Sequence, residues 1–298
     1  MESERRGAAV AAANAVADDL EAGLGRDADA PAFSLAFGEA GFALLFDALG
    51  RAGLRPDGTR RARELLRSAT RGVKETKAST SLYVGWPGVA FATSVLCEPD
   101  EAQRSLRSSL AVLRRGVSAA PWRKRLDLTD GLAGLGVVAL ACLPGDDAEE
   151  AAVSVVERFD ELAEPLGAGL VWRAPGEPTR VEVGIAHGVA GIVLLLAAAH
   201  EAGIERERAG RLLDGAVEWL LSLVPGEDGR RFPAFAFAAP GEASAMPNAW
   251  CWGDVGVALA VARAAQIRGG HNNRTCLGND SGRHRHEIAK AANMSWWQ

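Results

Sequence analysis

A Gly-x-x-Gly motif that opens an apolar, helix-forming run occurs five times along the 298 residues. The pairs are Gly38/Gly41, Gly85/Gly88, Gly131/Gly134, Gly188/Gly191 and Gly253/Gly256, with first glycines 47, 46, 57 and 65 residues apart. One such motif means little, whereas five at intervals of this size mark a helical repeat. The runs behind the glycines (Phe42–Leu49, Val89–Leu96, Leu135–Leu143, Ile192–Ala199 and Val257–Arg263) are apolar nearly all round, as in helices buried on every side. Between them lie segments with one apolar stripe, such as Leu106, Leu110, Leu113 and Val117, or Leu213, Val217, Leu220 and Val224. That spacing predicts amphipathic helices with a charged outer face. Each repeat therefore reads as an outer helix followed by an inner one. Stacking such units buries a continuous core, as an open solenoid or as a closed ring.

Strand patterns are scarce and short, with Gly169–Trp172 the clearest. The chain is predicted to be all-α. Small residues at the motif let the chain turn sharply. They are expected to bring inner-helix N-termini together, aiming partial positive charge and free N–H groups at a shared centre.

Composition removes several function classes. With 33 Lys+Arg against 38 Asp+Glu the net charge is −5 and the pI near 5.7, so there is no basic face for nucleic acid. The apolar run Val189–Ala199 is too short to cross a bilayer, and the N-terminus has no apolar signal core. Four cysteines in a chain of this length form no disulfide framework. We therefore expect a cytoplasmic protein with no membrane span.

Two motifs on successive repeats, Ala186-His187-Gly188 and Trp250-Cys251-Trp252-Gly253, resemble those of the LanC-like lanthionine synthetases, the cyclases of lantibiotic biosynthesis. The resemblance covers residues 1–268 and implies an α/α toroid, with about five of the family's seven repeats present. It implies zinc bound by Cys251, with His187 as acid/base and Asp127, four residues before the third-repeat glycine, assisting it. The implied reaction adds a cysteine thiol of a dehydrated lanthipeptide precursor to dehydroalanine or dehydrobutyrine, closing a thioether ring. A zinc-bound thiol ionises near neutral pH, and an imidazole is a suitable donor to the enolate that forms. A separate lanthipeptide dehydratase is the implied partner.

The chain departs from the family pattern at several places. Pro247 stands where the family has an Arg, Trp252 follows Cys251 where a Tyr is common, and no Cys-His-Gly occurs. Cys276-Leu277-Gly278 has the outline of that motif without its histidine. Residues 269–298, with His271, His284, His286 and Trp296-Trp297, lack the repeat pattern and read as a divergent, poorly ordered tail of a truncated chain. An exposed apolar edge is expected at the C-terminal side of the last repeat.

Each site residue also has a plainer reading. Cys251 could be a small buried hydrophobe, and His187 a satisfied core histidine. Asp127 could cap the helix after Gly131, in competition with Asp130. Cys97 and Cys142 read as packing residues of inner helices, and Arg60-Arg61 and Arg114-Arg115 as solvated outer faces. Two functional alternatives follow. One is a catalytically impaired homologue that binds a peptide or protein in the central cavity. The other is an α/α-barrel enzyme on carbohydrates, which needs two apposed carboxylates from among Asp127, Asp130 and Asp254.

Overall fold

A computed structural model describes residues 2–23, 30–223, 232–237 and 249–269. Its helices are α1 (Glu2–Gly23), α2 (Glu39–Arg51), α3 (Gly58–Glu75), α4 (Trp86–Leu96), α5 (Pro99–Val117), α6 (Leu132–Ala141), α7 (Asp146–Leu162), α8 (Val189–Ala202), α9 (Arg206–Ser222) and α10 (Asp254–Gly269). Four short strands accompany them: β1 (Glu164–Leu166), β2 (Gly169–Val171), β3 (Arg180–Glu182) and β4 (Phe235–Phe237). The chain divides into two compact units, Met1–Leu106 and Arg107–Gln298. The sequence expectations for Val224, Pro247, Cys276 and residues 270–298 lie outside the described residues.

All five inner helices begin one residue after the first glycine of their motif, at Glu39, Trp86, Leu132, Val189 and Asp254. The first four motifs cap their own helices with backbone. The N–H groups of Glu39, Trp86 and Leu132 donate to the carbonyls of Ala32, Ser79 and Arg125, at 2.7, 3.1 and 3.0 Å. At α8 the donor is Ala190, to Val183 O at 3.1 Å. These first-turn donors are thus taken by local carbonyls, where we had expected them free and aimed at a shared centre. Neither Asp127 nor Asp130 caps α6; its N-cap is Gly131, with no side-chain hydrogen bond.

In the first unit, α2 packs against α3 and α4, around a core that includes Phe33, Phe46, Leu65 and Leu66. Helix α1 is tied to it by the Asn14 amide, which donates to Leu54 O at 3.0 Å, and by ion pairs Arg55–Asp18 and Arg61–Glu21. In the second unit α6 packs on α7 and α8, and α8 on α9 and α10. Outer helices bury one stripe each, as in α7, where Ala148, Ala152, Val155 and Phe159 face inward. In α9 the stripe falls on Leu212, Leu213, Ala216, Trp219 and Leu220, while Val217 is only half-buried. Arg114 reaches Asp147 and Glu150 on α7, so the Arg114-Arg115 face carries inter-helix ion pairs. Cys97 and Cys142 sit at the C-caps of α4 and α6, each half-buried.

Within each unit, successive motifs are joined in register: the first to the second, the third to the fourth and the fourth to the fifth. The N–H two residues before the first glycine of one motif donates to the carbonyl at the same position of the next. Ala36 reaches Tyr83 O at 3.0 Å, Thr129 reaches Ala186 O at 3.2 Å, and Ala186 reaches Cys251 O at 3.5 Å. At Gly88, Gly191 and Gly256 the second glycine of the pair receives a side chain from the preceding motif. An added Cβ would lie 3.3 Å from Leu128 Cβ at Gly191 and 3.3 Å from Ile185 Cδ1 at Gly256, and at both would overlap a carbonyl of its own loop.

The longer intervals before the fourth and fifth motifs hold the strands. β1 pairs antiparallel with β2, matching the strand expected at Gly169–Trp172, and β3 pairs antiparallel with β4. Helix α10 ends the described chain with an apolar stripe open to solvent: Val255 is 61% and Leu259 57% exposed. The equivalent residues of α8, Ala190 and Leu194, are buried.

Candidate active site

The site is built in the second unit from the loops of the third, fourth and fifth motifs. The third loop alternates Arg125-Leu126-Asp127-Leu128-Thr129, with Leu126 and Leu128 buried. Trp122 Nε1 and the Leu132 N–H both donate to the Arg125 carbonyl, at 3.1 and 3.0 Å, which fixes the start of the loop. Within it Arg125 Nε donates to Asp127 Oδ2 at 2.6 Å. Asp127 Oδ1 accepts the Asp130 N–H at 2.7 Å and the Thr129 hydroxyl at 3.1 Å.

The backbone bond from Thr129 to Ala186 carries His187 to the same place. Its Nδ1 lies 3.0 Å from Thr129 Oγ1, 3.3 Å from Arg125 Nη2 and 3.6 Å from Asp127 Oδ2. The two residues we had singled out for catalysis are therefore together, in an ion pair rather than a direct hydrogen bond. Nδ1 is thus the ring nitrogen turned towards Asp127, Thr129 and Arg125. Burial runs outward in order: the Asp127 side chain is 4% exposed, His187 28% and Arg125 49%.

The electrostatics follow from that packing. Burial works to raise the Asp127 pKa, but His187, the Asp130 N–H and Arg125 together bring it down to about 2. The Asp127 carboxylate raises the His187 pKa above its ordinary 6.5, against burial and the Arg125 charge. Burial raises Glu182, whose charge also faces His187. Asp127 is thus a fixed anion, and His187 the group that can carry a proton near neutral pH.

An aromatic wall flanks the imidazole. Trp252 lies 5.7 Å from His187 between ring centroids, and Phe235 of β4 lies 5.4 Å from Trp252. The Arg180 guanidinium covers the Phe235 ring at 4.6 Å. Sequence reasoning missed Arg125, Thr129, Glu182 and Phe235. The two-residue spacing of Arg125, Asp127 and Thr129 could have marked the first two; nothing in the sequence marks the others.

Cys251 stands at the position of Ala186, one repeat on, and is half-buried. Among the described residues it joins no cluster of three metal-ligating side chains. The group that does form is Asp127, Asp130 and His187, with donor atoms all within 4.8 Å of one another. Arg125 holds one of its carboxylates at 2.6 Å and places a positive charge where a cation would sit. The described residues therefore do not fit the zinc expected at Cys251. Asp254, the third acid considered for a carbohydrate site, accepts the Phe232 N–H at 2.8 Å. Asp127 is already engaged by Arg125, Thr129 and the Asp130 N–H, so it is held as an anion and not as the proton donor of a glycosidase pair.

The sequence matches the family described as "Lanthionine synthetase C-like protein" over residues 31–296. Among curated proteins none matches. Among solved structures the chain is similar to one described as "Nisin cyclase", with a TM-score of 0.66 and 19% identity, over 97% of this chain and 81% of that one. At that identity the likeness speaks for the fold, an all-α arrangement of the α/α toroid class. The chain belongs to the lanthionine synthetase C-like family.

Proposed function

We propose that the chain is a thioether-forming cyclase acting on dehydrated lanthipeptide precursors in the cytoplasm, downstream of a separate dehydratase. The observation that carries this reading is the His187 imidazole held 3.6 Å from the buried carboxylate of Asp127, in a member of this family. In the reaction a peptide thiolate forms a C–S bond to the β-carbon of dehydroalanine or dehydrobutyrine. The π electrons move to the carbonyl oxygen, giving an enolate. His187, charged beside Asp127, donates its proton to the α-carbon, and the thiol proton lost at the start restores it. Atoms balance with no co-reactant.

Family resemblance adds zinc at Cys251, where it would lower the thiol pKa. Its other ligands are not supplied by the described residues, and no step here is routed through it. Incubation with a dehydrated precursor tests the reading: cyclisation leaves mass unchanged while free thiol disappears. His187→Asn is expected to slow this roughly 10²- to 10⁴-fold. Zinc per chain, with Cys251→Ala as control, tests the metal.

The second reading is a peptide-binding module. That Cys251 joins no group of three metal-ligating side chains among the described residues favours it. Precursor affinity unchanged by His187→Asn and Cys251→Ala, with no thiol loss in the parent chain, would establish it.

A further inference from the structure

The Asp127–His187 pair does not account for Arg125. A guanidinium placed 3.3 Å from an imidazole whose work is to carry a proton opposes that proton. Negative charge beside the two cations offsets that opposition, and Glu182, which acts on both, and Asp130, which acts on Arg125, supply part of it together with Asp127. Asp127 supplies one such charge from below, through Nε, and takes up a single edge of the fork. Arginine carries five N–H donors. Among the described residues, those of Nη1 have no protein acceptor assigned. The guanidinium is half exposed, beside the accessible side of His187.

The residue is also held in place beforehand. Its carbonyl accepts both Trp122 Nε1 and the Leu132 N–H, while Nε is anchored to a carboxylate that is itself bound to the Asp130 N–H and the Thr129 hydroxyl. A donor fixed on both sides loses little on meeting a ligand, which is the condition for effective stabilisation of an anion.

We propose that Arg125 and His187 form an oxyanion-binding site, in which the free edge of the Arg125 guanidinium donates to a monoanionic oxygen held in front of the imidazole. Resting on the cyclase reading above, that oxygen is the dehydroamino-acid carbonyl as it becomes an enolate. Arg125 is then a catalytic residue. Thiolate addition places the charge on oxygen, Arg125 holds it there, and His187 delivers the proton to the α-carbon.

The test has two arms. In the first, acetate serves as the monoanionic oxygen probe, titrated against chloride at constant ionic strength while the His187 ring resonances are followed by NMR, with His187→Asn for assignment. The parent chain is expected to show a saturable shift, and Arg125→Gln to weaken it at least tenfold. Arg125→Lys, which keeps the charge and loses the fork, is expected to fall between them. Equal titrations in all three would overturn the site.

The second arm measures cyclisation at saturating precursor in a double-mutant cycle of Arg125→Gln with Asp127→Asn. Direct contact with the enolate predicts roughly a hundredfold fall in kcat for Arg125→Gln. It also predicts a further fall when Arg125→Gln is added to Asp127→Asn. No further fall would reduce Arg125 to a positioning residue for Asp127 and overturn its catalytic role. Acetate binding that depends on Arg125, in a chain with no cyclisation, would sink the cyclase reading and leave the anion site standing. Cyclisation at the parent rate in Arg125→Gln would do the reverse.

Discussion

Ser81 and Asp127 occupy the same position in their repeats, four residues before the first glycine, and accept the same hydrogen bond. Ser81 Oγ takes the Val84 N–H at 3.1 Å, and Asp127 Oδ1 takes the Asp130 N–H at 2.7 Å. Ser34 does likewise for Phe37 at 3.3 Å. Closing the motif turn is therefore the shared duty of this position in the first three motifs, one that serine and aspartate both perform; the fourth and fifth have Gly184 and Ala249 there. What Asp127 adds is its second oxygen, which holds Arg125 and faces His187.

Replacement at 127 should separate the two duties. Asp127→Ser keeps an acceptor for the Asp130 N–H but loses the charge that holds Arg125 and faces His187, and is expected to lose less stability than Asp127→Ala. Asp127→Ala strips that acceptor from a buried turn and should cost about 1–3 kcal/mol in urea denaturation. Both should lose cyclisation together, by roughly 10²-fold. Equal stability of the two variants would remove the turn from the role of Asp127.

The pair also sets a pH dependence whose signs are fixed. Asp127 ionises more readily folded than unfolded, so its contribution to stability is complete above about pH 4 and is lost as pH falls towards its folded value of about 2. His187 is raised above 6.5, so its contribution is complete below that value and is lost as pH rises through the folded pKa. Proton donation by His187 follows the same limb. We expect the alkaline fall in cyclisation rate to lie above pH 6.5 and to move down in Asp127→Asn. NMR titration of the ring gives the same pKa independently.

The inner helices were readable because their start is a local matter: a glycine motif followed by an apolar run fixes where α2, α4, α6, α8 and α10 begin. The pairing of Asp127 with His187 is not local. It depends on the Thr129–Ala186 backbone bond between motifs 57 residues apart, and only family resemblance put the two names together in advance. Arg125 was written in the alternation of its loop, but polar residues in a loop are read as solvent-facing by default. Phe235 reaches Trp252 only because β4 pairs with β3, and a three-residue strand leaves almost no periodicity to read.

The inter-motif contacts make a prediction for the second glycines. A Cβ at Gly191 or Gly256 meets backbone of its own loop and a side chain from the motif before. Gly191→Ala and Gly256→Ala are each expected to destabilise by about 1–3 kcal/mol, the usual cost of overpacking. Because Gly191 shares its loop with His187, its variant should also slow cyclisation. Gly116→Ala, at a position where an added Cβ meets nothing, is the control and should be neutral or slightly stabilising.

The last described helix gives the sharpest contrast between equivalent residues. Leu194 of α8 and Leu259 of α10 hold the same place six residues after the first glycine, yet one is 2% and the other 57% exposed. Helix α8 has neighbours on several sides, α6, α9 and α10 among them, so Leu194 is enclosed. Truncating Leu194 to Ala should cost about 2–5 kcal/mol through lost burial and the cavity left behind. Leu259→Ala should change stability by no more than about 0.5 kcal/mol. Leu259→Glu, which breaks the apolar stripe it shares with Val255, should leave the unfolding midpoint close to the parent while raising the concentration at which the protein stays dispersed. Light scattering against concentration reads the second effect. A loss of stability in Leu259→Glu comparable to that in Leu194→Ala would mean that the stripe is covered in solution.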